Sequence, residues 1–340
     1  MSNRLHGPLT DVSGDAGYEE HPPRMGFFTD TSVCIGCKAC EVACKEWNEI
    51  PEDGIALTGM SYDNTEALGA STWRHVAFIE KPFETGASRP PQEPPATVTT
   101  TDLGLPGMGP PGWESHESGL DGLPTGEDQA TQSGDGGVRW LMSSDVCKHC
   151  THAACLDVCP TGSLFRTEFG TVVVQEDICN GCGYCVPACP FGVLDKREIP
   201  ESSGDPPPGP FGHKADGRIW KCTLCYDRLK DGHEPACAKA CPTDSIQFGE
   251  LDELRERAEK RLEKLQAERW NGARLYGHDP DDGVGGFGAF FLLLDEPEVY
   301  GLPPDPVAST KNLGQIWGAA AAAAGVLGAA VLGAFALGGR

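Results

Sequence analysis

Apolar residues in this chain come in short runs, and each run predicts a modest element. Gly26-Phe27-Phe28 opens the ordered part, and Trp73–Ile79 (WRHVAFI) has the aromatic and β-branched character of a strand. Four strand-like segments follow cysteine runs: Ser163-Leu164-Phe165, Val172-Val173-Val174, Gly192-Val193-Leu194 and Ser245–Phe248. Cysteine loop, short helix and strand thus form an internal repeat. Leu251, Leu254, Ala258, Leu262 and Leu265 keep helical spacing with charges on the other face, which predicts a scaffold helix. Phe287–Leu294 (FGAFFLLL) reads as a buried strand.

Elsewhere the rhythm breaks. Residues 1–25 are polar and read as a flexible N-terminal tail. Residues 85–136 lose apolar spacing around Pro94-Pro95 and Pro110-Pro111-Gly112, which predicts a Pro/Gly-rich surface insertion, a linker rather than a partner-binding loop. A Pro-rich loop spans 200–217. Between Lys311 and Arg340 no residue is charged, a stretch longer than the about 20 residues that cross a bilayer. Residues 313–338 are therefore expected to form a transmembrane helix. Trp317 stands at one interface, and Gly318, Ala322, Gly325, Ala329 and Gly333 make a stripe of small residues. The competing reading is an alanine-rich soluble tail, since Ala319–Ala324 insert less readily than leucines.

Composition adds a constraint. The chain has 340 residues, 39% of them hydrophobic, with Gly 44 and Pro 28, so its apolar core is thin. Something besides side-chain burial is expected to hold the fold, and metal sites can do so. A formal charge of −23 argues against a nucleic-acid partner, whose phosphates need a basic surface. No nucleophile–base pair, P-loop or GxGxxG in context stands out, so no catalytic residue is expected.

All sixteen cysteines fall into four quartets: Cys34, Cys37, Cys40, Cys44; Cys147, Cys150, Cys155, Cys159; Cys179, Cys182, Cys185, Cys189; and Cys222, Cys225, Cys237, Cys241. The length of the chain and its polar start MSNRLHGPLTDVSG argue against a disulfide scaffold. Zinc ribbons share the C-x2-C spacing but need no third and fourth cysteine in the same run. A [4Fe–4S] cube does, because one tight loop presents three sulfurs while the following helix carries the fourth to another cluster. The first and third quartets match C-x2-C-x2-C-x3-C; the second has a longer middle spacing and the fourth an eleven-residue loop there. Pro160, Pro190 and Pro242 follow the last cysteine of three quartets and turn the chain away.

Four [4Fe–4S] clusters are therefore expected, with crossed ligands. The sets are Cys147, Cys150, Cys155 with Cys189; Cys179, Cys182, Cys185 with Cys159; Cys34, Cys37, Cys40 with Cys241; and Cys222, Cys225, Cys237 with Cys44. His149 and His152 could ligate but are expected to pack or to hydrogen-bond sulfur instead. Lys148, Lys221 and Arg228 lie near the loops and either offset thiolate charge or are solvated. The expected fold class is α+β: a central ferredoxin-like dicluster module at 137–199, an outer one built from 26–84 with 218–300, and the C-terminal transmembrane helix.

The quartets in this order resemble the four-cluster ferredoxin subunits that partner molybdenum or tungsten enzymes. The match sharpens at Cys34–Asn48 (CIGCKACEVACKEWN) and Lys221–Gly249 (KCTLCYDRLKDGHEPACAKACPTDSIQFG). It continues through Ala258–Leu265 (AEKRLEKL), Gly283–Gly286 (GVGG) and Asp295–Pro306 (DEPEVYGLPPDP) to the C-terminal apolar stretch. The combination resembles the β subunits of membrane-bound respiratory formate dehydrogenases. The quartets alone are shared with dimethyl sulfoxide, polysulfide and nitrate reductase relatives. A Trp at the Cys182 position marks the nitrate reductase branch, and this chain lacks it. The resemblance implies a non-catalytic electron wire between a formate-oxidising molybdopterin α subunit (Mo or W) and a membrane γ subunit, a cytochrome b or related quinone-reactive protein. It also implies a bilayer anchor with the soluble part on the outer, periplasmic face, exported with an α subunit that carries the twin-arginine signal. The alternatives are the same wire in a polysulfide- or dimethyl sulfoxide-type reductase or a hydrogenase, a free-standing polyferredoxin, and a structural zinc protein. The 85–136 insertion departs from the family pattern.

Overall fold

The computed structural model describes residues 11–52, 59, 62–63, 65–82, 138–197, 217–268 and 270–338. The 85–136 insertion, and the 200–217 loop apart from Gly217, lie outside the described residues. By contacts the chain separates into Met1–Ile79 with Leu141–Arg340, and Glu80–Trp140. The first unit carries all sixteen cysteines.

Its centre is a four-stranded sheet organised around β1 (Met25–Asp30), with β8 (Ile246–Glu250) antiparallel on one side and β10 (Ala289–Leu293) parallel on the other. β9 (Arg274–Tyr276) closes the far edge against β10. Phe27 pairs with Phe248 and Ala289, and Phe28 stacks on Phe290 at 5.3 Å. Every residue of β10 is fully buried, as its unbroken apolar run requires of a strand covered on both faces. Gly26 lets the backbones close up, since a Cβ there would meet the Gly288 carbonyl at 2.3 Å. The helix α7 (Leu251–Ala267) follows β8 and buries Leu251, Leu254, Ala258 and Leu265 while its charged face stays wet.

The cysteine-bearing segments attach to this sheet. The helix α2 (Ala39–Trp47) leads towards β2 (Arg74–Pro82), which forms a two-stranded sheet with β3 (Val138–Val146). Next come the turn-long α3 (Ala154–Asp157), the hairpin β4 (Leu164–Arg166) and β5 (Val172–Val174), and α4 (Cys185–Ala188). The two-residue strands β6 (Asp195–Lys196) and β7 (Ile219–Trp220) pair, and α5 (Tyr226–Lys230) and α6 (Ala236–Lys239) carry the fourth quartet. One buried cluster joins Phe27, Phe28 and β10 to Cys40, Cys44, Cys147, Cys222 and Cys237, and a smaller one holds Leu164, Val172, Cys185, Leu194 and Ile219.

Two expectations are corrected. The tail expected over 1–25 is packed from residue 11 onward: Val12 and Ser13, in the helical turn α1 (Val12–Asp15), are buried, and the Asp11 carboxylate caps that turn by accepting from Gly14 N–H at 2.9 Å. Arg24 then donates to Thr151 Oγ1 at 2.8 Å and to the His149 carbonyl at 3.0 Å, so polar composition here serves anchoring. The strand expected at Gly192-Val193-Leu194 lies three residues later; Val193 and Leu194 are buried by packing, and β6 alone finds a partner strand. At the C-terminus α8 (Leu313–Gly338) includes a 23-residue span, Leu313–Phe335, of mean hydropathy 1.9 with none of it buried.

Candidate iron–sulfur centres

The first C-x2-C pair of every quartet shares one backbone feature. The residue before the second cysteine is left-handed in each: Gly36 (φ 65°), His149 (φ 45°), Gly181 (φ 69°) and Leu224 (φ 57°). Such a residue turns successive amides into a concave nest that suits an anion. In keeping with this, Leu224 N–H donates to Cys222 Sγ at 3.3 Å. Burial raises the thiols of Cys34, Cys189 and Cys225, and the amides of Gly36, Val193 and Ala236 oppose it; at Cys159 hydrogen bonds led by the Leu164 amide outweigh burial and bring the thiol down to about 7. The left-handed conformation costs His149 and Leu224 roughly 1–2 kcal/mol each. Residues held at such cost cluster at functional sites.

The helices then redistribute the cysteines. Cys34, Cys37, Cys40 and Cys241 line one opening, together with Val76 and Ser144. Cys159, Cys179, Cys182 and Cys185 line another. The Cys44 thiol is pushed well above its usual range by burial and then by Cys237, Cys222 and Cys225. Burial, Cys147, Cys155 and Cys189 do the same to Cys150. Two groups of four cysteines thus line common openings, each with one member from a different quartet. Buried thiols ionise only with compensation, and metal coordination deprotonates a thiol outright. Among the described residues no three His, Cys, Asp or Glu side chains converge tightly enough for a single ion. A [4Fe–4S] cube takes one thiolate at each of its four iron corners, and each of the two openings is lined by four cysteines.

Polar side chains complete the sulfur environment. Asn48 Nδ2 donates to Cys44 Sγ at 3.7 Å and to Cys225 Sγ at 3.8 Å. Ser144 Oγ lies 3.2 Å from Cys40 Sγ, and Thr161 Oγ1 lies 3.6 Å from Cys159 Sγ. Arg74, fully buried in β2, donates from Nη2 to Cys237 Sγ at 3.4 Å and from Nη1 to the Ser144 carbonyl at 3.3 Å. Sequence reasoning missed Arg74 and Asn48; the available signal for Arg74 was a cation inside the otherwise apolar WRHVAFI run.

The histidines and cations near the loops also have defined places. His149 is buried, its Nδ1 accepts from Val172 N–H at 3.1 Å, and burial, then Lys221 and Arg166, hold it well below the usual imidazole pKa. His152 is lowered by burial and by Lys311. Lys148 is buried against Asp145 and between the Phe191 and Phe291 rings. Arg228 stacks on Trp47 at 4.2 Å and donates to the Glu234 carbonyl. Lys221 is buried without a carboxylate beside it among the described residues.

Two family models described as 4Fe–4S dicluster domains match the chain, one over residues 33–163 and one over 138–251. The nitrate-inducible formate dehydrogenase iron–sulfur subunit of Escherichia coli K12 is 34% identical over 286 residues, 83% of this chain and 73% of that protein. The formate dehydrogenase iron–sulfur subunit of Haemophilus influenzae is 35% identical over 84% of this chain and 71% of its own length. The chain belongs to the formate dehydrogenase iron–sulfur subunit family. A component of the anaerobic dimethyl sulfoxide reductase of E. coli is more distant, 28% identical over 69% of this chain and 77% of that protein. Membership makes this an electron-transfer iron–sulfur protein, and the two dicluster domains with sixteen cysteines support four [4Fe–4S] clusters.

Proposed function

We propose that this chain is the electron-conducting subunit of a membrane-bound, formate-oxidising complex, and that each crossed group of cysteines holds one cluster. Bound clusters supply one-electron carriers; the fold supplies their order. α2 carries Cys40 and Cys44, linking the Cys34–Cys241 group to the Cys44–Cys222 group. Lys221, beside Cys222, donates to the Val172 carbonyl, and Val172 N–H donates to His149 beside Cys150, which brings the Cys147 group next. Cys155 lies within α3 and Cys159 two residues beyond its end, and Cys155, Cys159 and Cys185 pack in one apolar cluster, so the Cys159 group ends the row. The observation that carries the reading is exposure. Of the sixteen cysteines only Cys37 and Cys182 are exposed, and they belong to the two terminal groups.

A molybdopterin catalytic subunit (Mo or W) then meets the Cys37 end, and a quinone-reactive membrane subunit meets the Cys182 end. Thr310, at the root of α8, donates to the Asp157 carboxylate on α3, which favours the Cys182 end as the one nearer the bilayer. The soluble part is assigned to the outer face. The test is anaerobic detergent purification from native cells, with identification of co-purifying subunits and assay of formate-dependent viologen or quinone reduction. Formate activity with a large molybdopterin subunit and a membrane subunit is expected. A complex that reduces dimethyl sulfoxide or polysulfide and ignores formate replaces the substrate, and a soluble, cluster-loaded lone chain overturns the membrane wire.

A further inference from the structure

Lys221 is among the largest fully buried side chains of the protein. Its Nζ donates to two carbonyls, Val172 at 2.5 Å and Cys222 at 2.7 Å. Removing an ammonium from water without a counter-charge costs several kcal/mol. Lys148, equally buried, has Asp145; Lys221 has carbonyl dipoles and cysteines. Burial pushes the Cys222 thiol up to about 12, and Lys221 is the first charge that opposes this. Val172, whose carbonyl accepts from the ammonium, donates its N–H to His149 Nδ1 at 3.1 Å, and His149 stands beside Cys150, so Lys221 lies between the Cys222 loop and the Cys147–Cys150 loop. Cys222 and Cys150 belong to different groups that are neighbours in the row. At Cys159, in the Cys182 group, burial is opposed by hydrogen bonds from the Leu164 and Thr161 amides and the Thr161 and Ser163 hydroxyls.

We infer that Lys221 is a potential-setting residue shared by the two inner clusters: its charge, held between the Cys222 loop and the Cys147–Cys150 loop, favours the more negative, reduced state of both and raises their potentials. The inference rests on the crossed ligand assignment proposed above. Burial strengthens the effect, since the same charge in water would be screened. Lys221 also ties β5 to the fourth cysteine loop.

The test is an anaerobic, EPR-monitored redox titration of the purified complex with Lys221→Gln and Lys221→Arg. Gln keeps a donor for the Val172 carbonyl without the charge; Arg keeps the charge. With Gln, two of the four midpoint potentials are expected to fall while the others hold, and Arg is expected to restore them. Four unchanged midpoints, or four moving together, overturn the inference. Should the Gln variant lose iron, Lys221→Arg still decides: with the charge kept, all four midpoints are expected to hold, and a fall of the two inner ones overturns the inference. Iron and sulfide analysis of the unaltered complex tests the ligand assignment separately, because a complex without four clusters fails before any shift is read.

Discussion

Cys159 follows α3 and stands beside the Cys179 loop rather than its own, so its removal separates crossed from uncrossed ligation. Cys159→Ala is expected to lower bound iron by about one quarter, the share of one cluster in four. Adding Cys182→Ala should remove no more, because both substitutions strike one cluster, whereas adding Cys150→Ala should double the loss. Additivity of this kind reports shared or separate partners. If the Cys159/Cys182 pair doubles the loss and the Cys159/Cys150 pair does not, crossing is wrong. Gly181 gives a second expectation: at φ 69° an added Cβ would meet the Gly217 carbonyl at 2.3 Å. Gly181→Ala should cost about 1–3 kcal/mol and release the Cys182 cluster first, seen as iron loss on mild heating. These ligands were legible because C-x2-C spacing ties local sequence to local geometry. The left-handed His149 and Leu224 were not, since intrinsic preference argues against that conformation and the surrounding loop overrides it.

Among the elements, α7 and β10 were readable from spacing alone because each lays a continuous apolar face on one sheet. Leu254 sits at the centre of that contact and is fully buried. Leu254→Ala is expected to destabilise the chain by about 2–5 kcal/mol through lost burial and a residual cavity. Thermal unfolding should show the loss while the cluster potentials of the folded protein stay put, since α7 bears no cysteine. An altered potential would mean that the sheet and the cluster loops respond as one unit. β6, β7 and the repositioned Val193-Leu194 were illegible for a different reason. Two-residue strands have no period, and their partners are fixed by the cysteine loops they bracket rather than by their own residues.

At the scale of the whole chain, two forces of unlike origin meet. In the unit that carries the clusters, seven cysteines are buried among the apolar core residues, and burial holds thiols such as those of Cys44 and Cys222 above their usual range without metal. Binding free energy at such sites is folding free energy, so clusters and fold should be lost together. Anaerobic removal of iron by a chelator is expected to abolish the cooperative thermal transition, and retention of that transition in iron-free protein would show a core sufficient by itself. α8 contributes nothing to this core: none of its apolar span is buried, which water tolerates poorly and a bilayer accepts. Ending the chain after Lys311 should therefore leave four clusters and the thermal transition intact while abolishing flotation with lipid vesicles. Thr310 keeps its bond to Asp157 in that variant, so the root of the helix is preserved. A truncated protein that still floats would assign membrane attachment to another surface, and one that loses iron would make α8 part of the cluster-bearing fold.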